Sequence, residues 1–351
     1  MLHTLPAAEA LNRLDTFSTI IDARSESEFA LDRLPGALNW PSLNDAERVS
    51  IGTEYKQVSP FAARKRGAIL VARNVAAHIE RELLDKPKDW SPLVYCWRGG
   101  HRSGALALVL GQIGFKVHLL EGGYREYRRA VLAALETLPG AFDYRVVCGS
   151  TGSGKSRLLQ ALRSQGAQVL DLEALAEHRG SVLGLAPGAV QPSQKQFESR
   201  VWDALRRFDP QRPVFVESES RKVGDLRVPP ALIERMRTAA CLQLELALEQ
   251  RVALLIADYD FFVRDTAALC ERLDALRALR GNATVKAWQE AARAGHTAEL
   301  VRALLVEHYD PGYQQSMLRN FTGLAAPKLE LAWDGSDESL QDAAARAVQA
   351  G

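Results

Sequence analysis

Short apolar runs alternate with stretches of helical spacing through the first part of the chain. The runs predicted as strands are residues 19–22, 37–40, 93–95 and 117–120. The stretches predicted as helices are residues 25–32, 75–84, 104–111 and 125–135. Residues 44–73 show little strand pattern and interrupt this alternation as an insertion. Short strands that alternate with helices are typical of a parallel sheet covered by helices.

The same pattern restarts after Leu138-Pro139-Gly140, a breaker sequence that predicts a domain boundary. Strands are predicted at residues 144–148, 168–171, 213–217 and 329–333, and helices at 157–164, 258–317 and 338–349. An apolar stripe in the long helical stretch indicates a core face, and it consists of Leu269, Leu273, Leu276 and Leu279. The sequence therefore predicts two α/β domains, residues 1–138 and 139–351, the second with a helical insertion and a C-terminal strand and helix.

Composition and charge narrow the possible functional classes. A chain of 351 residues is long enough for two domains with separate cores. A formal net charge of +1 with 25% charged residues excludes a disordered polyelectrolyte. The balanced charge also provides no global basic field for nucleic acid, so any RNA contact has to come from local patches.

The cysteines point to a reducing compartment. Cys96, Cys148, Cys241 and Cys270 lie far apart and form no C-x-x-C pair, which argues against a zinc site and against a disulfide framework. The start of the chain lacks a basic segment followed by an apolar core, and no long uninterrupted apolar run occurs. We therefore expect a soluble, cytoplasmic protein that makes no contact with a membrane.

One cysteine lies in a loop suited to chemistry. The predicted strand 93–95 leads into Cys-Trp-Arg-Gly-Gly-His-Arg-Ser at residues 96–103, and a helical pattern follows with Ser103 as the expected N-cap. The backbone amides of such a loop can converge on the sulfur, and with Arg98 and Arg102 they favour a thiolate. Cys96 is thus predicted to be a nucleophile or the carrier of a transferable atom. A buried structural cysteine is the alternative.

A second loop matches the phosphate-binding pattern G-x-x-x-x-G-K-[ST]. It consists of Gly149, Ser150, Thr151, Gly152, Ser153, Gly154, Lys155 and Ser156. The loop follows the predicted strand 144–148 and precedes the predicted helix 157–164, which is the order that the mechanism of this motif requires. The loop amides and Lys155 are predicted to hold a di- or triphosphate, and the Ser156 hydroxyl is predicted to reach a Mg²⁺ ion.

Two acidic residues end later strands of the second domain. Asp171 ends the predicted strand 168–171, and Glu217 ends the predicted strand 213–217. In phosphate-binding folds a carboxylate at such a position often organises the metal ion. Both residues are therefore candidates for holding a metal or for organising the diphosphate. For Glu217, a carboxylate that caps a turn is the alternative.

Basic residues outside the two loops are candidate RNA contacts. Arg64, Lys65 and Arg66 lie together in the insertion, and Arg128 and Arg129 lie in the predicted helix 125–135. Their charges are predicted to contact the phosphate backbone of a bound RNA. A solvated helical face explains the basic run of the insertion equally well.

The first domain resembles the rhodaneses. The resemblance rests on the Cys96 loop, on Asp22-Ala23-Arg24, on Leu34-Pro35-Gly36-Ala37 with Asn39 and Pro41, and on Leu120-Glu121-Gly122-Gly123-Tyr124. A rhodanese domain joined to a phosphate-loop domain is a narrower pattern, and the whole chain is similar to the bacterial tRNA 2-selenouridine synthases. Supporting segments are residues 59–61, 171–173, 178–181, 191–194 and 216–222. The fold that this resemblance implies is a rhodanese-like domain followed by a parallel-sheet domain like that of P-loop NTPases.

The resemblance also implies an activity. Members of this family replace the sulfur of 2-thiouridine by selenium at the wobble uridine of tRNAs for lysine, glutamate and glutamine. Geranyl diphosphate first alkylates the sulfur, and selenium from selenophosphate then displaces the geranylated sulfur. This reaction consumes no nucleoside triphosphate, so we expect the phosphate loop to hold the diphosphate of geranyl diphosphate.

The site residues follow from the same resemblance. By analogy with sulfur-carrying rhodaneses, Cys96 is expected to take up selenium as a selenylsulfide, and Arg98 and Arg102 are expected to stabilise the anionic donor. No tightly bound cofactor is expected, Mg²⁺ is compatible with the phosphate loop, and an enzyme that supplies selenophosphate is an expected partner.

Three alternatives remain. Cys96 and Arg102 also satisfy the C-x-x-x-x-x-R pattern of cysteine phosphatases, some of which share the rhodanese fold, although Tyr95 occupies the place where those enzymes usually carry histidine. The phosphate loop also suits a kinase with Asp171 as the base and a rhodanese appendage. A tRNA-binding or sulfur-relay adaptor, finally, would bind RNA without changing its mass.

Overall fold

The computed structural model describes residues 2–180, 184–185 and 188–350, so Ser181, in one of the segments that carry the resemblance, lies outside the described residues. The chain folds into two compact units. The first consists of Met1–Ala134 and Ser193–Asp203, and the second of Leu135–Pro192 and Ala204–Gly351. No helix in the described ranges is both long enough and apolar enough to span a lipid bilayer.

The first unit alternates strands and helices. Its elements are β1 (Leu2–Leu5), α1 (Ala7–Asn12), β2 (Thr19–Asp22), α2 (Glu26–Leu31), β3 (Ala37–Asn39), α3 (Asp45–Gln57), α4 (Pro60–Glu82), β4 (Pro92–Tyr95), α5 (His101–Ile113), β5 (Val117–Leu120) and α6 (Gly123–Thr137). The strands form a parallel sheet in the order β1-β5-β4-β2-β3. Because β4 is the central strand, the loop that follows it lies in the middle of the carboxyl edge of the sheet, where α/β folds place their ligands.

The insertion at residues 44–73 is helical. Asn44 caps α3 through a reciprocal capping box with Glu47, and the Ser59 hydroxyl accepts a hydrogen bond from the Ala62 amide at the start of α4. None of the residues of α3 is buried, so this helix lacks the apolar periodicity from which helices are predicted. The edge strand β1 is also absent from the sequence prediction, because most of its residues are exposed.

The second unit repeats the arrangement around another parallel sheet. Its elements are β6 (Tyr144–Cys148), α7 (Lys155–Ser164), β7 (Gln168–Leu170), α8 (Leu172–Ala176), β8 (Val214–Glu217), β9 (Lys222–Val223), β10 (Leu226–Arg227), α10 (Pro230–Arg237), β11 (Ala240–Glu245), α11 (Leu248–Asp258), α12 (Asp260–Arg264), α13 (Thr266–Asp274), α14 (Arg277–Arg280), α15 (Asn282–Arg293), α16 (Thr297–Ala303), α17 (Asp310–Asn320), β12 (Leu329–Ala332) and α18 (Asp337–Ala350). Its main sheet has the order β12-β11-β6-β8-β7, with parallel neighbours throughout. β6 is central, so the phosphate loop that follows it also lies at the carboxyl edge of its sheet.

Helix α9 (Gln194–Leu205) corrects the predicted division of the chain. The sequence assigns residues 139–351 to the second domain, but Ser193–Asp203 packs with the first unit. Phe197 and Val201 are completely buried there, and the Trp202 ring packs edge-on against Tyr127 at 5.8 Å between centroids. Local sequence patterns do not reveal this assignment, because the partners of α9 lie far away in the sequence.

The helical stretch predicted at residues 258–317 consists of α12 to α17 with a π-helical segment at Leu304–Tyr309. Leu269, Leu273 and Leu276 are buried in its core, as the apolar stripe predicts. The prediction is wrong for Leu279, which is 70% exposed. The stripe assumes one continuous helix, whereas α13 ends at Asp274 and a separate helix starts at Arg277.

Candidate functional site

Cys96 follows β4 and starts the loop that leads into α5. The helix begins at His101, so Gly100 occupies the N-cap and Ser103 lies in the first turn, contrary to the sequence prediction. Side chains in a helix lean towards its N-terminus, and the Ser103 hydroxyl accordingly donates to Cys96 Sγ at 3.1 Å. Cys96 is 3% exposed. The sulfur is thus held at a helix start beside a hydroxyl donor.

The turn at residues 121–124 supports the Cys96 loop from the neighbouring strand end. The Tyr124 amide donates to the Cys96 carbonyl at 2.8 Å. Gly123 has φ +59°, and a Cβ atom there would lie 2.3 Å from the same carbonyl oxygen. Only glycine can accept both this backbone conformation and this close approach. Gly123, one of the two glycines that carry the resemblance, is therefore a structural requirement of the cysteine loop.

A buried ion pair anchors this turn in the first unit. Arg24 and Asp22 are almost inaccessible and lie 2.6 Å apart, and the Arg24 guanidinium stacks 4.0 Å from the centre of the Tyr124 ring. Burial alone lowers the pKa of Arg24, but the hydrogen bond and charge of Asp22 outweigh it and raise the pKa. The Tyr124 hydroxyl donates to Asp32 at 2.8 Å. The Asp-Ala-Arg segment thus acts on the cysteine loop through Tyr124.

The two predicted arginines of the loop differ in their surroundings. Arg98 is exposed. Arg102 donates to Glu28 Oε2 at 2.7 Å, and Arg48 lies 3.1 Å from the same oxygen. Burial alone raises the pKa of Glu28, but the hydrogen bond from Arg102 and the charges of Arg102 and Arg48 bring it below its usual value. A phosphatase would need the Arg102 guanidinium to bind phosphate above the sulfur, whereas here Glu28 engages it.

The phosphate loop joins β6 to α7 as the motif predicts. Gly154, with φ +91°, is the N-cap, and a Cβ atom there would lie 2.4 Å from the Trp333 ring. The Trp333 indole donates to the Ser153 carbonyl at 2.8 Å, and Lys155 Nζ donates to the Gly149 carbonyl at 2.7 Å. The loop is therefore held in shape by its own lysine and by a tryptophan from the end of the chain. Its free helix N-terminus is suited to bind phosphate.

A cleft of about 1370 Å³ opens at this loop. Lys155 and Ser156 line it together with several acidic residues, among them Asp171, Glu173 and Glu219. Part of its wall is apolar or aromatic; this part includes Leu254, Leu255, Tyr259, Phe261, Leu279 and Met317. The cleft thus combines a phosphate-binding loop with acidic groups and with a surface suited to an apolar ligand.

The two carboxylates predicted from the sequence have different positions. Asp171 lines the cleft, but its Oδ1 accepts the Ala174 amide at 2.9 Å and caps α8. Glu217 is only 2% exposed, accepts the Glu173 amide at 2.8 Å and is absent from the cleft wall. Burial, together with the neighbouring carboxylates, raises the pKa of Glu217 well above its usual value. Glu217 thus supports α8 from behind the cleft.

Two carboxylates that are not among the sequence-predicted site residues face the phosphate loop. The Ser156 hydroxyl donates to Glu173 Oε2 at 3.0 Å, and the carboxyl groups of Glu173 and Glu219 hydrogen-bond to each other. Such a pair has to share a proton. Both residues belong to segments that carry the family resemblance, 171–173 and 216–222, and this was the available signal. Neither ends a predicted strand, which is why strand-end reasoning missed them.

The buried position of Glu219 predicts a pH-dependent stability. Burial, with the charge of Glu173, raises the pKa of Glu219 from 4.5 to about 8. A carboxyl whose folded-state pKa is raised stabilises the fold below pH 4.5, and this contribution is lost as the pH rises through 8. The glutamine of Glu219→Gln cannot ionise. At pH 9 we therefore expect the free energy of unfolding of this variant to exceed that of the wild type by about 1–3 kcal/mol, so that it unfolds at a higher urea concentration.

The control for this prediction is Glu330→Gln, which removes an exposed carboxylate from β12. Urea unfolding of the three proteins at pH 5 and pH 9, without ligand, measures the effect. We expect a smaller difference between the two pH values for Glu219→Gln alone. Equal differences for all three proteins would contradict the assignment.

The basic run of the insertion lies on α4. Arg64, Lys65 and Arg66 are all exposed. Arg66 pairs with Glu54 of α3 at 3.0 Å, and the Lys65 ammonium lies 5.0 Å from the centre of the Phe61 ring. The solvated helical face and the RNA contact remain compatible with this arrangement, and Arg64 and Lys65 carry the more accessible charges.

The basic residues of α6 differ in exposure. Arg128 is mostly buried and forms an ion pair with Glu198 of α9 within the first unit. The side chain of Arg129 is 67% exposed and pairs with Glu126 at 2.8 Å. Arg128 thus has a structural partner, and Arg129 has the more accessible charge of the two.

The chain matches two known domain families. Residues 6–130 match the rhodanese-like domain, and residues 142–274 match the tRNA 2-selenouridine synthase AAA domain. A tRNA 2-selenouridine synthase of Nitrosomonas europaea is 36% identical over 68% of this chain and 63% of the relative, slightly less than two thirds of its length. One of Alcanivorax borkumensis is 32% identical over 86% of this chain and 90% of the relative. With both domain types present and a relative matched over nearly its whole length, the chain belongs to the tRNA 2-selenouridine synthase family.

Proposed function

We propose that this protein is a tRNA-modifying enzyme that converts 2-thiouridine to 2-selenouridine at the wobble position of tRNAs for lysine, glutamate and glutamine. The observation that carries the proposal is the combination of a cysteine loop and a complete phosphate loop in one chain of this family. Two loops of different chemistry suit a reaction of two stages. The first is S-geranylation by geranyl diphosphate, and the second is selenation by selenophosphate.

The phosphate loop is the proposed site of the geranyl stage. The sulfur of 2-thiouridine attacks the allylic carbon, an S–C bond forms, and the C–O bond to the diphosphate breaks. Lys155 and the first amides of α7 neutralise the charge that grows on the leaving diphosphate. The ring N–H of the base has to lose its proton to give a neutral product. Glu173 and Glu219 line the same cleft and are the proposed acceptors of this proton.

The residues beside the loop fit a Mg²⁺ ion. Ser156 Oγ and Glu173 Oε2 lie 3.0 Å apart and both residues line the cleft. Mg²⁺ at phosphate sites usually takes one or two protein oxygens together with substrate phosphates and waters. Within the ranges that the structure describes, no three or more His, Cys, Asp or Glu side chains converge as a metal site of their own. A bound Mg²⁺ supplies additional charge neutralisation for the leaving diphosphate.

The Cys96 loop is the proposed site of the selenium stage. Alkylation converts the thiocarbonyl sulfur into a group that can leave as geranylthiol. Across this stage a C–Se bond forms at the ring carbon, the C–S bond breaks, and selenophosphate ends as phosphate. Selenophosphate carries selenium at the selenide level, so Cys96 is proposed as a nucleophile and not as a selenylsulfide carrier. Its thiolate attacks the phosphorus of selenophosphate, the P–Se bond breaks, the released selenide adds at the ring carbon, and water then frees phosphate from the sulfur. Arg98 with the loop amides is the proposed site for the anionic donor. Arg102 acts there more weakly, because Glu28 engages its guanidinium.

The tRNA contacts are proposed on exposed charges of the first unit. Arg64, Lys65 and Arg129 are exposed and are the favoured contacts, while Arg66 and Arg128 are held by the acidic partners Glu54 and Glu198. Phosphate contacts of this kind strengthen binding at low salt without selecting a base. The proposed partners are therefore tRNA and an enzyme that supplies selenophosphate.

Nucleoside mass spectrometry tests the proposed function. Purified protein is incubated with 2-thiouridine tRNA and with geranyl diphosphate alone, selenophosphate alone, or both. We expect a geranyl mass gain with the first donor and a sulfur-to-selenium shift with both. An unchanged nucleoside would overturn the proposal. Hydrolysis of p-nitrophenyl phosphate would then favour the phosphatase, ATP turnover the kinase, and RNA binding without a mass change the adaptor.

A further inference from the structure

A second, apolar pocket adjoins the phosphate cleft inside the second unit. It has a volume of about 70 Å³ and is formed by Thr151 of the phosphate loop and by residues of the helical part. The inner wall includes Leu300 and Val301 of α16. None of the described residues that line it is charged. The pocket is thus suited to hydrocarbon and unsuited to phosphate or to an ionised base.

The apolar pocket shares part of its wall with the cleft where the diphosphate is proposed to bind. Thr151, Leu255, Tyr259 and Tyr309 line both the phosphate cleft and the apolar pocket. The side chain of Leu255 lies directly against the phosphate loop, because a Cβ atom on Gly152 would lie 2.8 Å from its Cδ1 atom. A ligand with its phosphates on the loop therefore meets this shared wall next. An apolar chain carried on a diphosphate would follow the wall into the pocket.

We propose that this apolar pocket binds the far end of the isoprenoid chain of the diphosphate substrate and limits the length of the chain that can bind. This inference rests on the proposed use of geranyl diphosphate. A cavity of about 150 Å³ can hold benzene. The pocket here, at about 70 Å³, is less than half that size and suits only the terminal branched carbons of a chain. The carbons nearer the diphosphate lie along Leu255 and Tyr259 in the cleft. A ten-carbon chain then ends in the pocket, and a fifteen-carbon chain has no space for its last unit.

Filling the pocket tests the proposal. Val301 is half-buried on α16, so Val301→Trp can place its larger side chain in the pocket without disturbing the fully buried core. Each buried methylene contributes roughly fourfold to affinity, so we expect geranyl diphosphate to bind at least tenfold more weakly to the variant. Affinity for inorganic diphosphate, which has no chain, should be unchanged. Isothermal titration with both ligands measures this.

The matched control is Val306→Trp. Val306 is 50% exposed on the following π-helical segment and lines neither the cleft nor the pocket. We expect the wild-type affinities for both ligands in this variant. Equal loss of geranyl diphosphate affinity in the two tryptophan variants would overturn the assignment of the pocket.

Enlarging the pocket provides a second test. Val301→Ala removes side-chain volume from the wall and should raise the use of farnesyl diphosphate relative to geranyl diphosphate at least threefold. The readout is the mass of the alkylated nucleoside when both donors compete. An unchanged donor ratio would contradict the proposed control of chain length.

The outcomes separate this inference from the proposed function. If the wild type geranylates 2-thiouridine but neither Val301 variant alters ligand preference, the function stands and the pocket assignment falls. If the wild type neither binds geranyl diphosphate more tightly than inorganic diphosphate nor alkylates the RNA, both fall.

Discussion

Replacing Cys96 with serine should abolish selenation and leave geranylation intact. A serine hydroxyl is a far weaker nucleophile than a thiol at neutral pH, so it cannot replace the Cys96 sulfur in the attack on selenophosphate. Loss of a covalent catalytic group of this kind usually lowers a rate at least about a thousandfold. With both donors present, Cys96→Ser should therefore accumulate geranylated 2-thiouridine in the tRNA. Nucleoside mass spectrometry over a time course measures both products.

Cys270→Ser is the control for the loss of a thiol. Cys270 is buried in the core of the helical part and does not itself line the phosphate cleft. We expect both stages to proceed at the wild-type rate in this variant. Selenouridine formation by Cys96→Ser at an undiminished rate would remove Cys96 from the mechanism.

Replacing Lys155 with alanine should impair geranylation and leave selenation intact, which is the reverse of the effect expected for Cys96→Ser. The variant lacks the ammonium group that neutralises the leaving diphosphate and that holds the Gly149 carbonyl at 2.7 Å. Removal of one such stabilising donor usually lowers a rate by about a hundredfold to a thousandfold. We therefore expect geranylation to fall by this factor, while tRNA that already carries the geranyl group is selenated normally. Each stage is measured separately with its own RNA substrate.

Lys286→Ala is the matched control, because Lys286 is 73% exposed and pairs only loosely with Glu290 at 3.7 Å. It should retain both stages. Normal geranylation by Lys155→Ala would show that the diphosphate does not bind at this loop. Equal loss of both stages in Lys155→Ala would instead show that the two stages are not divided between the two loops.

Both candidate loops could be predicted from the sequence because each is a contiguous unit. In each loop an apolar strand, a glycine-rich turn and a helix start follow one another within about twenty residues, so local periodicity and motif spacing are sufficient. The parallel sheets follow from the same alternation of strands and helices. The prediction of Ser103 as the N-cap was wrong, because the helix begins three residues earlier than predicted. Ser103 therefore lies in the first turn, where its hydroxyl donates a hydrogen bond to Cys96 Sγ.

Local sequence patterns did not identify the acidic residues that face the phosphate loop. Strand-end logic selected Asp171 and Glu217, but the first caps a helix and the second is buried behind the cleft wall. Glu173 and Glu219 reach the phosphate loop from α8 and from the segment after β8. Which carboxylate faces the loop depends on how these segments pack against the sheet, and side-chain direction within a turn has no sequence period.

The sequence by itself determined the alternation of strands and helices around the two loops, the loops themselves and the family of this protein, because these features depend on neighbouring residues. Only the tertiary structure decided the partners of the charged groups and the place of α9. Glu28 engages Arg102 across 74 residues, and Ser199 donates to Asp32 across 167 residues. Such interactions form when the chain folds back on itself, and their energy depends on burial and distance, which no local pattern contains.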